Sequence, residues 1–347
     1  IYGNVLNLDD TAFTTLDKDG DSALPNGEVV TNVTIGSATG VDASTSSDVT
    51  TYTDEINIES PVVGTAGTGD GFLESNYDIT YVSGDLKVNP RPITVTPTQQ
   101  EKIYGNTLTL DQTAFTVTDL DNDALLPNGE SIDTVSVISR GAHDASTTSS
   151  AVTYADDLEA TSVATSSAGF DLNNYTIDFS NLSDLVINRR AVTLTALQQE
   201  KDYGDVHTLD TTTFSVTDLD NDALLPNGET IDTVTLVSGG GVDSSTDADT
   251  GTYSNDLSIT PTSTATSTLT GTNGFDQENY LFSYNTGDLV INQRAITLTA
   301  SQQEKIYGNV LNLDDTAFTT LDKDGDSALP NGEVVTNVTI GSATGVD

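Results

Sequence analysis

The sequence contains no cysteine, no methionine and no tryptophan. Without thiols, disulfides and thiolate metal sites are excluded, and secretion by a route that bypasses oxidative folding is compatible with the composition. Cations are scarce as well: 11 Lys and Arg stand against 53 Asp and Glu, for a net charge of -42. That balance rules against nucleic acid and anionic bilayers, both of which recruit basic surfaces, and favours solubility, mutual repulsion or the binding of cations. Apolar residues make up 35% of the chain but come in short alternating runs, so a membrane-spanning helix is not expected. Sustained helical periodicity is missing too; no window keeps an apolar stripe at i, i+3, i+4 and i+7 for three turns. Only two histidines occur, and neither recurs. His143 aligns with Val41 and Val242, and His207 with Leu6 and Leu108, so both read as substitutions at structural positions. With no serine in a G-x-S-x-G elbow and no recurring base beside a nucleophile, an enzyme is not expected.

What the chain has is repetition. Residues 306–347 reproduce residues 1–42 letter for letter, and two diverged copies lie between them. Tyr-Gly stands at Tyr2, Tyr104, Tyr203 and Tyr307, with spacings of 102, 99 and 104. Pro-Asn-Gly-Glu begins at Pro25, Pro127, Pro226 and Pro330; an Asn-Tyr pair ends at Tyr77, Tyr175 and Tyr280; an arginine follows at Arg91, Arg190 and Arg294. Units of about 100 residues exceed the coils of solenoids and suit small domains, each with a core of its own. Recurring Tyr and Phe positions speak against disorder. Placing the boundary at the arginine gives complete domains at 92–190 and 191–294, a domain at 1–91 lacking its first strand, and the first half of a fourth at 295–347. No Gly/Ser or Pro linker separates them, which predicts a stiff or semi-stiff, elongated rod.

Within a unit, β-branched residues, threonine and period-two alternation predict strands nearly throughout. Leu6 and Leu8 continue a core strand after Tyr-Gly; Val30, Val33 and Ile35 make another, and Ile56 with Ile58 a further one. Tyr77–Tyr81 and Leu86–Val88 form a hairpin about Ser83-Gly84-Asp85. The segment between Tyr52, Tyr154 or Tyr253 and the Asn-Tyr pair varies in length and is expected to be loop. The fold class is all-β, as tandem β-sandwich or β-grasp-like domains.

The runs K-I-Y-G-N-x-L-x-L-D-x-x-A-F-T, N-G-E-x-I-x-x-V-x-L, N-Y-x-I-x-F and G-D-L-x-I-N-x-R-x-(I/V)-T-L-T-A resemble the YGX-type MBG repeats, and the related YDG repeats, of large bacterial surface adhesins. The resemblance covers essentially the whole chain. It implies a β-rich extracellular module without catalysis of its own, in a stalk on the bacterial surface or in biofilm matrix. Neighbouring repeats are then the first partners, with lateral association through divalent ions and contact with surface glycans as further ones. The alternative function is a set of weak glycan- or mucin-binding modules that gain strength by multivalency.

An acidic insertion before Asn-Gly-Glu departs from that pattern. It reads D-x-D-x-D-x6-E four times: Asp17, Asp19, Asp21, Glu28; Asp119, Asp121, Asp123, Glu130; Asp218, Asp220, Asp222, Glu229; and Asp322, Asp324, Asp326, Glu333. Carboxylates at positions 1, 3, 5 and 12 match the spacing of an EF-hand-type calcium loop. Clustered aspartates repel one another without a cation, at about 1 kcal/mol per pair in water. Calcium is therefore the expected ligand, stiffening the fibre by ordering these loops. Against a standard loop, position 6 holds Ser22, Ala124, Ala223 and Ser327 instead of glycine, and proline occupies position 9. The plainer reading makes the aspartates caps of Asx-turns. Lys102, Lys201 and Lys305, just before each Tyr-Gly, suit either isopeptide cross-links or weak surface ion pairs.

Overall fold

The computed structural model describes residues 1–65, 72–121, 124–221, 223–261 and 269–345. It is all-β: the only helical pieces among these residues are three-residue 3-10 turns, and none is long and apolar enough to cross a membrane. Two compact units emerge, one of residues 1–102, 108–145 and 153–186, the other of 103–107, 146–152 and 187–347.

The second unit shows the plan most completely. Arg190–Ala196 is the middle strand of three, antiparallel to Phe214–Asp218 and parallel to Tyr280–Asn285. A four-stranded sheet runs Gln199–Asp202, Gly287–Asn292, Gly251–Ile259, Leu236–Ser238, its first pair parallel and the others antiparallel. Alternation dictates the faces: Val192, Leu194 and Ala196 point inward from one sheet and Leu257, Ile259, Leu289 and Ile291 from the other, all buried, while intervening threonines and serines meet solvent.

The first unit repeats the plan with Arg91–Pro97 between Phe115–Asp119 and Tyr175–Asp178, and with Gln100–Ile103, Leu182–Asn188, Thr153–Ser166 and Ile132–Ser139. Ile93 and Val95 of the three-stranded sheet share one core with Val135, Val137, Leu158, Ala160 and Leu185 of the four-stranded sheet. Among the described residues no helix lies across a sheet as a β-grasp would require.

Three local expectations are corrected. The hairpin expected at Tyr77–Tyr81 and Leu86–Val88 does not form: Tyr77–Tyr81 joins no strand and Gly84–Lys87 pairs with Thr51–Thr65. Its counterparts are arches, Tyr175–Asp178 and Leu182–Asn188 belonging to different sheets, as do Tyr280–Asn285 and Gly287–Asn292. Both strands alternate because each has one face on the same core, a pattern indistinguishable from that of a paired hairpin. At the second arch only Thr286 separates the strands, and a Cβ on Gly287 would lie 2.4 Å from the Ala196 carbonyl oxygen, so glycine is needed at the corner. Second, most of the length-variable segment is strand, Thr51–Thr65 and Thr153–Ser166; its remaining residues include 66–71 and 262–268, outside the described residues. Third, the leucines after Tyr-Gly join no ladder. Leu108 and Leu110 lean on the core from extended backbone tied by the Leu108 N–H to the Asp144 carbonyl at 2.8 Å.

Candidate functional site: the recurring joint

The residues that recur in every copy come together where one repeat meets the next. In the first unit, Tyr2 is fixed to the end of its own repeat by its N–H, which donates to the Asn89 carbonyl at 2.9 Å. Its ring is only 3% exposed and lies edge-on to Tyr175 of the following repeat, with centroids 5.5 Å apart. Both hydroxyls, of Tyr2 and of Tyr175, donate to the two carboxylate oxygens of Glu130. Asn128 donates to the Tyr2 hydroxyl at 3.2 Å and to the Thr45 carbonyl at 3.0 Å, and accepts from the Thr45 hydroxyl at 2.8 Å. Asn128 sits in the left-handed region at φ 59, which turns its side chain back across the boundary. Gly3, at φ +86, lies flat on Pro127; a Cβ there would approach the proline ring to 2.3 Å.

Arg91 completes the joint. Its guanidinium, with only 5% of the side chain exposed, donates through Nε at 3.0 Å and through Nη2 to Asp119, through Nη2 to Asp121 at 2.6 Å, and through Nη1 to Asn4 at 2.8 Å. Burial alone would lower its pKa, but the two carboxylates outweigh that and raise it. A planar fork with five donors satisfies three partners at once, which an ammonium on a flexible stem cannot reproduce.

The second unit contains the same constellation. Tyr104 and Tyr280 donate to Glu229 at 2.5 and 2.6 Å, and their rings meet edge-on at 5.5 Å. Gly105 rests on Pro226, and Arg190 binds Asp218, Asp220 and Asn106. Burial and then the bond to Glu229 push the Tyr104 hydroxyl up to about 12 and raise that of Tyr280 further. A third joint pairs Tyr203 with Glu333 at 2.8 Å, Gly204 with Pro330, and Arg294 with Asp322, Asp324 and Asp205.

These partners account for the acidic loops. In each loop the first aspartate caps the turn: Asp17 accepts from the N–H groups of Asp19 and Asp21 at 2.8 and 3.0 Å, and Asp322 from those of Asp324 and Asp326 at 2.8 and 2.9 Å. Asp119 and Asp218 accept from Asp121 and Asp220, both at 2.8 Å. The other oxygen of Asp119, Asp218 or Asp322 takes the arginine. The glutamates at position 12 turn away to tyrosines, Glu28 to Tyr77, Glu130, Glu229 and Glu333 as above. Asp19 pairs with exposed Lys18 at 2.8 Å. Asp123 and Asp222 lie outside the described residues. Among the described residues no three acidic or histidine side chains converge to hold a metal. In the loops of Asp119, Asp218 and Asp322 the clustered charge is met by an arginine and backbone N–H groups.

Of the lysines before Tyr-Gly, Lys102 and Lys201 are buried, whereas Lys305 is exposed. Lys102 donates to the carbonyls of His143 and, at 3.2 Å, Asp144; Lys201 donates to those of Val242 and, at 2.5 Å, Ser245. Burial lowers the pKa of both. Through these carbonyls Lys102 and Lys201 knit a loop to the sheet. His143 stacks on Tyr154 with centroids 3.7 Å apart, and His207 Nε2 meets Gln199 at 2.9 Å.

The arginine's role was missed in the sequence, where it served only to mark a boundary. A signal existed: Arg91–Asp119, Arg190–Asp218 and Arg294–Asp322 all keep a separation of 28. No protein-family model matches the chain, and no curated protein or solved structure resembles it significantly.

Proposed function

We propose that the chain is a structural segment of an extracellular bacterial adhesin or matrix fibre, a tandem array of β-sandwich repeats whose stiffness comes from the joints. One observation carries this reading: the residues that recur in every copy are spent on repeat-to-repeat contacts. A core running from Tyr2 through Tyr175 into Ile93 and Leu158 leaves no linker to bend. The resemblance to adhesin repeats and the strong negative charge, which repels neighbouring fibres, agree with an extracellular stalk.

The burial of Tyr2, Tyr104, Tyr175 and Tyr280 favours this reading over multivalent glycan binding, since these rings are closed off from a sugar. Stiffness in this reading rests on ion pairs and tyrosine hydrogen bonds at the joints. Small-angle scattering tests the array: a rod gives a radius of gyration well above the roughly 20 Å of a compact chain this long. A value near that figure refutes it.

A further inference from the structure

The strands by which the chain enters and leaves a repeat are both interior strands. Arg190–Ala196, the entering strand, is flanked by Tyr280–Asn285 and Phe214–Asp218; Gly287–Asn292, the leaving strand, is flanked by Gln199–Asp202 and Gly251–Ile259. Each has one parallel neighbour from the opposite end of the repeat: six paired positions from Arg190↔Tyr280 to Thr195↔Asn285, and four from Gln199↔Leu289 to Asp202↔Asn292.

Tension along the chain pulls the entering strand toward Arg190 and the leaving strand toward Asn292. In parallel neighbours these directions are opposite and lie along the strand axes, so the ladder bonds are loaded together and not one after another. Neither strand is at a sheet edge, so neither can be peeled away first. The point of entry is itself anchored, because Arg190 is held by buried Asp218.

We infer that each repeat is a force-bearing module in which two shear clamps, one per sheet, hold the chain against tension applied at its ends; this rests on the structural reading above. Its recurrence is visible in the first unit, where Arg91–Thr94 pairs in parallel with Tyr175–Asp178.

Single-molecule force spectroscopy of the full chain decides it. Since the chain has no cysteine, paired thiols give defined handles. Handles at the two ends load the clamps in shear. Handles at Leu197→Cys and Thr286→Cys pull the adjacent C-terminal ends of Arg190–Ala196 and Tyr280–Asn285 apart, which unzips the same ladder. An unchanged Tm shows that the substituted chain is folded. The expected result is a several-fold higher rupture force for end loading, with about 350 Å of chain released per repeat at roughly 3.3–3.6 Å per residue. Equal forces in the two geometries overturn the clamps. Rod-like scattering with equal forces sinks this inference alone, and compact scattering with direction-dependent forces sinks only the array.

Discussion

Tyr104 and Glu229, 125 positions apart, share a hydrogen bond of 2.5 Å inside a pocket that also receives the hydroxyl of Tyr280. Glu229 is 5% exposed, so its charge is tolerated only because two phenols donate to it. Glu229→Ala strands both hydroxyls and is expected to cost about 2–4 kcal/mol, two buried donors at ~1–3 kcal/mol each with partial relief. Tyr104→Phe removes one bond and is expected to cost about 1 kcal/mol. Urea unfolding measures both; equal, small losses would show that the pocket contributes nothing.

The arginine makes a sharper prediction. Arg190→Ala leaves Asp218 buried and uncompensated, with an expected loss of about 3–5 kcal/mol. Replacing Arg190 and Asp218 together by apolar residues of similar volume should recover most of it. Comparing the single and double variants by thermal unfolding tests whether the pair fixes register more than it adds stability.

Glycines at two places should respond differently. Gly105 has φ +87 and would set a Cβ 2.4 Å from Pro226, whereas Gly129, at φ +74, has open space around it. Gly129→Ala should cost only the left-handed backbone penalty, about 1–2 kcal/mol. Gly105→Ala adds a clash with a rigid ring and should lower Tm by clearly more.

The joints are sensitive to pH at both extremes. The Tyr104 hydroxyl rises from 10.0 to about 12, so the fold favours its protonated form. That contribution is complete below pH 10 and is lost as pH climbs from 10 to about 12. Asp322 is lowered from 3.8, first by Arg294 and then by backbone N–H groups, so its contribution holds above 3.8 and is lost as pH falls through the depressed value. Unfolding free energy followed across pH, with Tyr104→Phe for comparison, should show the alkaline loss shrink in the variant.

Chelation separates the two accounts of the acidic loops. With Asp119 on Arg91 and Glu130 on two tyrosines, removing divalent ions should leave Tm unchanged, while Arg190→Ala lowers it. A large fall on chelation would mean that the loops rearrange around an ion.

Strand content and the inward faces of Ile93, Val95, Leu194 and Leu289 were legible, because alternation reports burial directly. Pairing was not. Tyr175–Asp178 and Leu182–Asn188 read as a hairpin since period two is blind to which sheet a strand joins. At the joint, Asp119 and Glu130 stood out by spacing, but a spacing rule for oxygen donors describes an ion and a guanidinium equally well. Arg91 lies 28 residues upstream of Asp119, and only the folded chain brings it within reach.

The first tyrosine, the proline-borne turn, the glutamate and the arginine recur in all three joints, while the place of Asn4 and Asn106 is taken by Asp205 in the third. Duplicating or deleting one whole unit by recombination therefore creates no unfamiliar surface: each new neighbour meets a tyrosine, a proline-borne turn and an arginine it already fits. Residues 306–347 repeat residues 1–42 unaltered, so a unit beginning there carries the same joint residues as the first.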